Sequence, residues 1–212
     1  TGTMTELGSL TTAATDMIAV TASGTQAGSS GVTALNALGG KTGGVVTATL
    51  TGSISEVASL TTAATDAIAV TASGTFTGAS GVTALNTLAG KTAGVVTATV
   101  SGTASELGDL VIATTDAIAM TASGTQTGSS GVTAVNALGT ATAGVVTATL
   151  TGTITELGSL STAATDMIAV TASGTQTGSA GVTAVNALAG KTAGVVTATL
   201  TGTITELGSL TT

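Results

Sequence analysis

The sequence predicts an α/β solenoid: stacked coils of about 25 residues, each with one short strand and one short helix, two coils to every 50-residue repeat. Three observations carry this. The segment GVVTATLTGTITELGSL at 144–160 returns letter for letter at 194–210, with near-copies at 44–60 and 94–110 and no insertion or deletion between them. Each period contains both a helical and a strand-like spacing of apolar residues. Finally, the side chains available can fill only a thin core, so one unit must hide its apolar face against the next.

Four repeats run 1–50, 51–100, 101–150 and 151–200, and 201–212 begins a fifth. Both termini fall inside the repeat, so we read 1–212 as one array, a fragment of a longer chain. Each repeat divides again. Met4, Leu7 and Leu10 match Val32, Leu35 and Leu38, each 28 residues on, and Ile18, Val20 and Ala22 match Val46, Ala48 and Leu50 at the same offset.

The first coil opens on a capping box, in which a hydroxyl caps the amide three residues ahead and a glutamate reaches back. It recurs as Thr3/Glu6, Ser53/Glu56, Thr103/Glu106, Thr153/Glu156 and Thr203/Glu206. Apolar residues at i, i+3 and i+6 then give one buried stripe on two turns of helix. The turn TTAATD follows, and IAVTASGT alternates with period two: Ile18, Val20 and Ala22 inward, Thr21, Ser23 and Thr25 outward. A loop, TQAGSS, precedes the second helix, GVTALNAL, which Ser29 or Ser30 can cap. The turn GGKTGG leads to VVTATLT, with Val46, Ala48 and Leu50 on one face and threonines on the other. Helices this short are unstable alone and need packing to hold them. An all-β solenoid is the alternative architecture.

Composition excludes several functions. Pro, Cys, His, Trp and Tyr are absent and Phe76 is the sole aromatic, yet 42% of residues are hydrophobic and 6% charged, which is not a disordered composition. The net charge of −7, with Lys41, Lys91 and Lys191 as the only basic residues, argues against nucleic acid. Mean hydropathy is positive, but Thr, Ser and Gly interrupt every apolar run before membrane-spanning length, and aromatic girdles are lacking. Without His or Cys, acid–base chemistry near neutrality, zinc sites and thiol catalysis lose their usual residues. Every polar residue also recurs in near-identical surroundings, whereas catalysis needs a unique convergence of groups. The chain does not read as an enzyme.

The remaining polar residues have structural explanations. Asp16, Asp66, Asp116 and Asp166 each precede a strand. They are weak candidates for a calcium ladder, but an Asp that bonds its own turn explains them better. No cofactor is expected: calcium would suit such a ladder, but no GGxGxD nonapeptide supports it. The lysines occupy turns of alternate coils, where they can relieve Asp–Asp repulsion; position 141 is Ala. Asn36, Asn86, Asn136 and Asn186 lie mid-helix, where Asn is a poor helix former, and a stacked Asn ladder is expected. The outward hydroxyls Thr47, Thr49, Thr97, Thr99, Thr147, Thr149, Thr197 and Thr199 are expected to form a ladder, spaced about 6.6 Å along a strand and about 4.8 Å between strands.

The strings VTASGT, TGTITELGSL, VTALNAL and GVVTATLTG resemble the repeat tracts of very large bacterial, especially cyanobacterial, cell-surface proteins. They are also similar to AAELNAL-type repeats of giant adhesins. The resemblance spans the whole chain and implies an exported, surface-attached or filament-forming role, outside the cell or on its surface. Such families often carry calcium-binding nonapeptides, and this chain has none. The expected function is a structural repeat protein building a filament, rod or surface-layer element by self-association end to end, and sideways through its hydroxyl-rich sheet. The alternatives are an ice-binding solenoid that uses the outward Thr ladders and the stalk of a large adhesin.

Overall fold

A computed structural model of the chain describes residues 1–211; Thr212, the last residue of the begun fifth repeat, lies outside the described residues. The chain forms two compact units, one of residues 1–100 with 110–118, the other of residues 101–109 with 119 onward.

The first unit contains α1 (Met4–Gly8), β1 (Val20–Ala27), α2 (Gly28–Gly39), β2 (Val46–Ser53), α3 (Ile54–Val57), β3 (Ala67–Thr77), α4 (Gly78–Ala89) and most of β4 (Val96–Thr103). Here β1, β2 and β3 pair in parallel in sequence order. The second unit contains α5 (Ala104–Gly108), most of β5 (Ala117–Thr127), α6 (Gly128–Ala141), β6 (Val146–Thr153), α7 (Ile154–Leu157), β7 (Met167–Thr177), α8 (Gly178–Ala189), β8 (Val196–Thr201) and α9 (Ile204–Leu207). Its strands β5 to β8 pair in the same way. Each strand is followed by a helix, and each coil lies on its predecessor: the fold is an α/β solenoid.

The alternation read from the sequence sets the two faces. Ile68, Val70 and Ala72 are buried, while Thr71 and Ser73 are exposed. Val32, Leu35 and Leu38 of α2 supply the opposing wall. Leu35, Leu38, Leu50, Ile68 and Leu85 are fully buried, and each such side chain contributes about 2 kcal/mol. Helix and strand come close because Gly31 faces the preceding strand: a Cβ there would stand 2.9 Å from the carbonyl carbon of Gln26.

Three local expectations are corrected. TQAGSS is not a loop: β1 runs to Ala27 and α2 starts at Gly28. The junction is made by a glycine in the left-handed region, φ 58° at Gly28 and Gly78, which turns strand into helix with no linker. The helices of the first coils are single turns of four or five residues rather than two turns. The offset of 28 residues also fails for the strands. Val20 pairs with Val46, and beyond an irregularity at 21–25 Thr25 pairs with Thr49. Gly24, at φ 73°, lies at that slip and absorbs the additional residues in the manner of a bulge.

Strand β1 has eight residues where β3, β5 and β7 have eleven. Ala67, Ile68 and Ala69 are held in β3 by Thr47, Ala48 and Thr49 of the strand before it. Residues 17–19 have no preceding strand to hold them among the described residues.

Candidate functional site

The polar residues that recur with the 50-residue period are spent on joining one coil to the next. The glutamates do this through two oxygens with separate duties. In all five boxes the glutamate Oε2 accepts from the backbone N–H of the capping residue at 2.7 Å, at Thr3, Ser53, Thr103, Thr153 and Thr203. The threonine hydroxyls accept in turn from the glutamate amides, for example 3.3 Å at Thr3 and 3.2 Å at Thr103. Like the threonine hydroxyls, that of Ser53 also donates to its glutamate, Glu56 Oε2, at 2.7 Å. The second oxygen reaches back a coil. Glu56 Oε1 accepts from the amide and the hydroxyl of Ser29, both at 3.2 Å, and so caps the first turn of α2. Glu156 and Glu206 accept from the hydroxyls of Ser129 and Ser179 at 3.4 Å.

Glu106 keeps the box: Oε2 accepts from the Thr103 amide at 2.7 Å and from the Thr103 hydroxyl at 2.9 Å. The position that Ser29, Ser129 and Ser179 hold in their repeats is Ala79 in the second.

The second oxygens explain another difference from the sequence reading. Neither Ser29 nor Ser30 caps α2 by itself; the N-cap residue is Ala27, which makes no side-chain bond. The cap is a carboxylate from the following coil, placed where a helix N-terminus favours negative charge. Hydrogen bonds hold the carboxyls of Glu6, Glu56, Glu156 and Glu206 below the ordinary range. The backbone N–H of the capping residue is the largest cause and its hydroxyl the next.

The aspartates form the buried counterpart. Asp66, Asp116 and Asp166 are 2–3% exposed. Oδ1 of each accepts at 2.8 Å from the amide that opens the preceding strand, Val46, Val96 or Val146. Oδ2 accepts at 3.0 Å from the amide three residues earlier in its own turn, at Ala63, Ala113 or Ala163. Asp16 is exposed and holds Ala13 alone, at 2.9 Å. Both oxygens of each buried carboxylate thus carry a backbone amide. Among the described residues no three acidic, His or Cys side chains come together in a group that could hold a metal ion.

The asparagines do not stack on one another. Asn36 donates from Nδ2 to Ser59 O at 3.0 Å and accepts at Oδ1 from Thr61 N at 2.8 Å. Its amide thereby pairs with the backbone of the next coil as a strand would. Asn136 repeats this with Ser159 and Ser161, and Asn186 with Ser209 and Thr211. The lysines serve carbonyls at the ends of the single-turn helices. Lys41 donates to Gly8 O and to Leu10 O, Lys91 to Ala58 O at 2.6 Å, and Lys191 to Gly158 O and Leu160 O, both at 2.7 Å. A cation there complements the helix C-terminus. Where Ala stands at 141, α6 runs on to Ala141, two residues beyond the end of α2, α4 and α8 in their own repeats.

Sequence reasoning missed one group. Thr42, Thr92, Thr142 and Thr192 are buried in the turns before the even strands. Thr92 Oγ1 accepts from Ile68 N and Gly94 N, both at 2.9 Å, and donates to the carbonyl of Ile68 (2.7 Å) or Asp66 (2.9 Å). The available signal was a hydroxyl that, with the glycine two residues on, stays fixed while the other turn positions vary among Gly, Ala, Thr and Lys.

The outer face of the sheet carries the predicted hydroxyls. Thr47, Thr49, Thr97, Thr147, Thr149, Thr197 and Thr199 are exposed and Thr99 half-buried. Their rows do not run unbroken. Thr47 is flanked by Thr21 and Ala67, and Thr49 by Thr25 and Ala69. Thr147 and Thr149 meet Met167 and Ala169. A row of four hydroxyls, Thr127, Thr151, Thr171 and Thr197, runs across β5 to β8.

The first unit also has a groove of about 410 Å³ lined by Asn86, Thr92, Val111, Ile112 and Asp116 among others. Its polar groups are those already engaged between coils, with Val111 N on Asn86 Oδ1 at 2.8 Å. No helix among the described residues is long and apolar enough to cross a membrane. No protein-family model matches the chain, and no curated protein or solved structure is significantly similar to it.

Proposed function

We propose that the chain is a structural repeat protein, outside the cell or on its surface, that builds a filament, rod or surface-layer element by stacking solenoid coils. The observation that supports this reading is that the apolar face of a coil is hidden by its neighbours of the same kind. Val146, Ala148 and Leu150 of β6 are 0–4% exposed, and β6 pairs in parallel with β5 before it and β7 after it. A coil held in this way is stabilised by its own duplicates, so an array lengthens by adding copies of the same unit. An adhesin stalk has this same architecture and differs in what the array carries.

Electron microscopy of the full chain over a range of concentrations tests this. Threads whose length grows with concentration are expected. Separate particles of constant size at every concentration overturn the reading.

The row Thr127–Thr151–Thr171–Thr197 is the feature favouring an ice-binding face, with hydroxyls about 4.8 Å apart. Thermal hysteresis in a freezing assay supports that second reading, and unshaped ice crystals reject it.

A further inference from the structure

All charged residues among those described lie outside the strands, in helices and turns. The outer sheet face of a chain with net charge −7 is therefore free of charge. It is also not uniformly polar. Valines immediately before the even strands point outward next to the buried or half-buried valines that open them. Val45 and Val95 are 43% exposed, Val145 42% and Val195 72%. Their carbonyls accept from the strand before, Val95 O from Val70 N at 2.9 Å and Val195 O from Val170 N at 2.8 Å, which fixes them to the sheet. Ala67 and Ala69 sit half-buried along β3, and in β7 the corresponding places hold Met167, 48% exposed, and Ala169. In each unit the beginnings of the strands thus make an apolar strip, Val45, Ala67, Ala69 and Val95 in the first and Val145, Met167, Ala169 and Val195 in the second. Recessed alanines alternate with the threonine ridges of the even strands.

We propose that this face is a lateral interface between copies of the chain, packed sheet on sheet, strip against strip, threonine ridges against alanine troughs. The proposal rests on the structural reading above and names the surface that joins threads sideways. A second copy is the occupant that the surface fits. Apposing two uncharged faces leaves the acidic groups at the periphery and strands no buried charge, whereas any face bearing the glutamates would bring like charges together. Four strands about 4.8 Å apart, each presenting about seven residues at about 3.3 Å, make a face of about 450 Å² per unit. Two such faces remove about 900 Å², the size of a weak contact taken singly, and copies repeated along a thread add to one another.

The test places a charge on the face without touching the core. Val45→Lys with Val145→Lys removes the strip's exposed apolar groups. Thr49→Lys with Thr149→Lys, at fully outward positions, does the same without loss of an apolar contact and guards against misfolding. Ser30→Lys with Ser130→Lys, on exposed helix positions, is the control. Thread width by electron microscopy and sedimentation of the full chain are read together. Both sheet-face pairs are expected to reduce threads to single width and to weaken lateral association by about tenfold or more, with the control unchanged. Unchanged width in the Thr49/Thr149 variant, or single-width threads in the parent protein, overturns the proposal. Thread length reports stacking separately: short particles that still pair sideways sink the stacking reading and keep this one. Ice shaping abolished by the same lysines would assign the face to ice and overturn it.

Discussion

Asp66 and Val46 stand twenty residues apart and belong to successive coils, yet the carboxylate Oδ1 accepts the Val46 amide at 2.8 Å in a buried site. The other oxygen holds the Ala63 amide. One side chain therefore closes its own turn and starts the preceding strand. Asp66→Ala leaves two amides without their acceptor in a place water does not reach, and a destabilisation of about 3 kcal/mol is expected in denaturant unfolding. Asp16→Ala removes only an exposed bond to Ala13 and is expected to cost about 1 kcal/mol or less. Equal losses for the two would refute the coil-joining role.

Glutamates give the array an acid limit. The carboxyls of Glu6, Glu56, Glu156 and Glu206 are held below the ordinary value by bonds made only in the folded chain. A group depressed on folding adds stability above its unfolded pKa, near 4.5, and that contribution disappears as pH falls through the folded value. The melting temperature is expected to be flat from pH 7 to 5 with respect to these groups and to fall below about pH 4.5. Replacing Glu56 and Glu156 by Gln, which keeps the box geometry, should reduce the acid-sensitive part of the fall. An undiminished slope in the Gln variant counts against the assignment.

Much of this was legible in the residues. A period without insertions, capping boxes and alternating valines and threonines are local signals, and strand and helix faces follow from them. Register was not legible. Matching Val20 to Ala48 treats the two coils as rigid copies, but Val20 pairs with Val46 and, past the slip at Gly24, Thr25 pairs with Thr49. The register of β2 on β3, which has no slip, decides the outer face, since it sets Ala67 rather than a threonine beside Thr47. The use of Glu56 on Ser29 was equally hidden. A capping box accounts for one oxygen of a glutamate within four residues, and the other oxygen acts across 27 residues, which no local pattern reveals.

Thr92 offers a sharper test of the turns. Thr92→Val keeps the shape and removes the one oxygen that receives Ile68 N and Gly94 N. One buried and one half-buried amide lose their acceptor, and about 2–4 kcal/mol is expected to be lost. Thr61→Val, one residue before the buried Thr62 but itself exposed, is expected to change stability by about 0.5 kcal/mol or less. Thermal melts of the two variants side by side decide it, and comparable losses would remove the special role of the buried hydroxyl.

Gly94 limits how closely coils can approach. An added Cβ there would lie 2.3 Å from the carbonyl oxygen of Ile68 and 2.7 Å from the amide nitrogen of Ala69. Both are backbone atoms of a buried strand and cannot swing aside. Gly94→Ala is expected to lose about 2–3 kcal/mol as the turn is forced off its neighbour. Since Thr92 bonds the same amide, hydrogen exchange at Gly94 and at Val96 should accelerate together. Gly8→Ala supplies the comparison. Nothing lies within 4 Å of a Cβ at that helical position, and alanine there is expected to be neutral or to stabilise by up to about 1 kcal/mol. A Gly94→Ala protein as stable as Gly8→Ala would mean that successive coils are looser than these contacts require, and the tight axial packing would have to be abandoned.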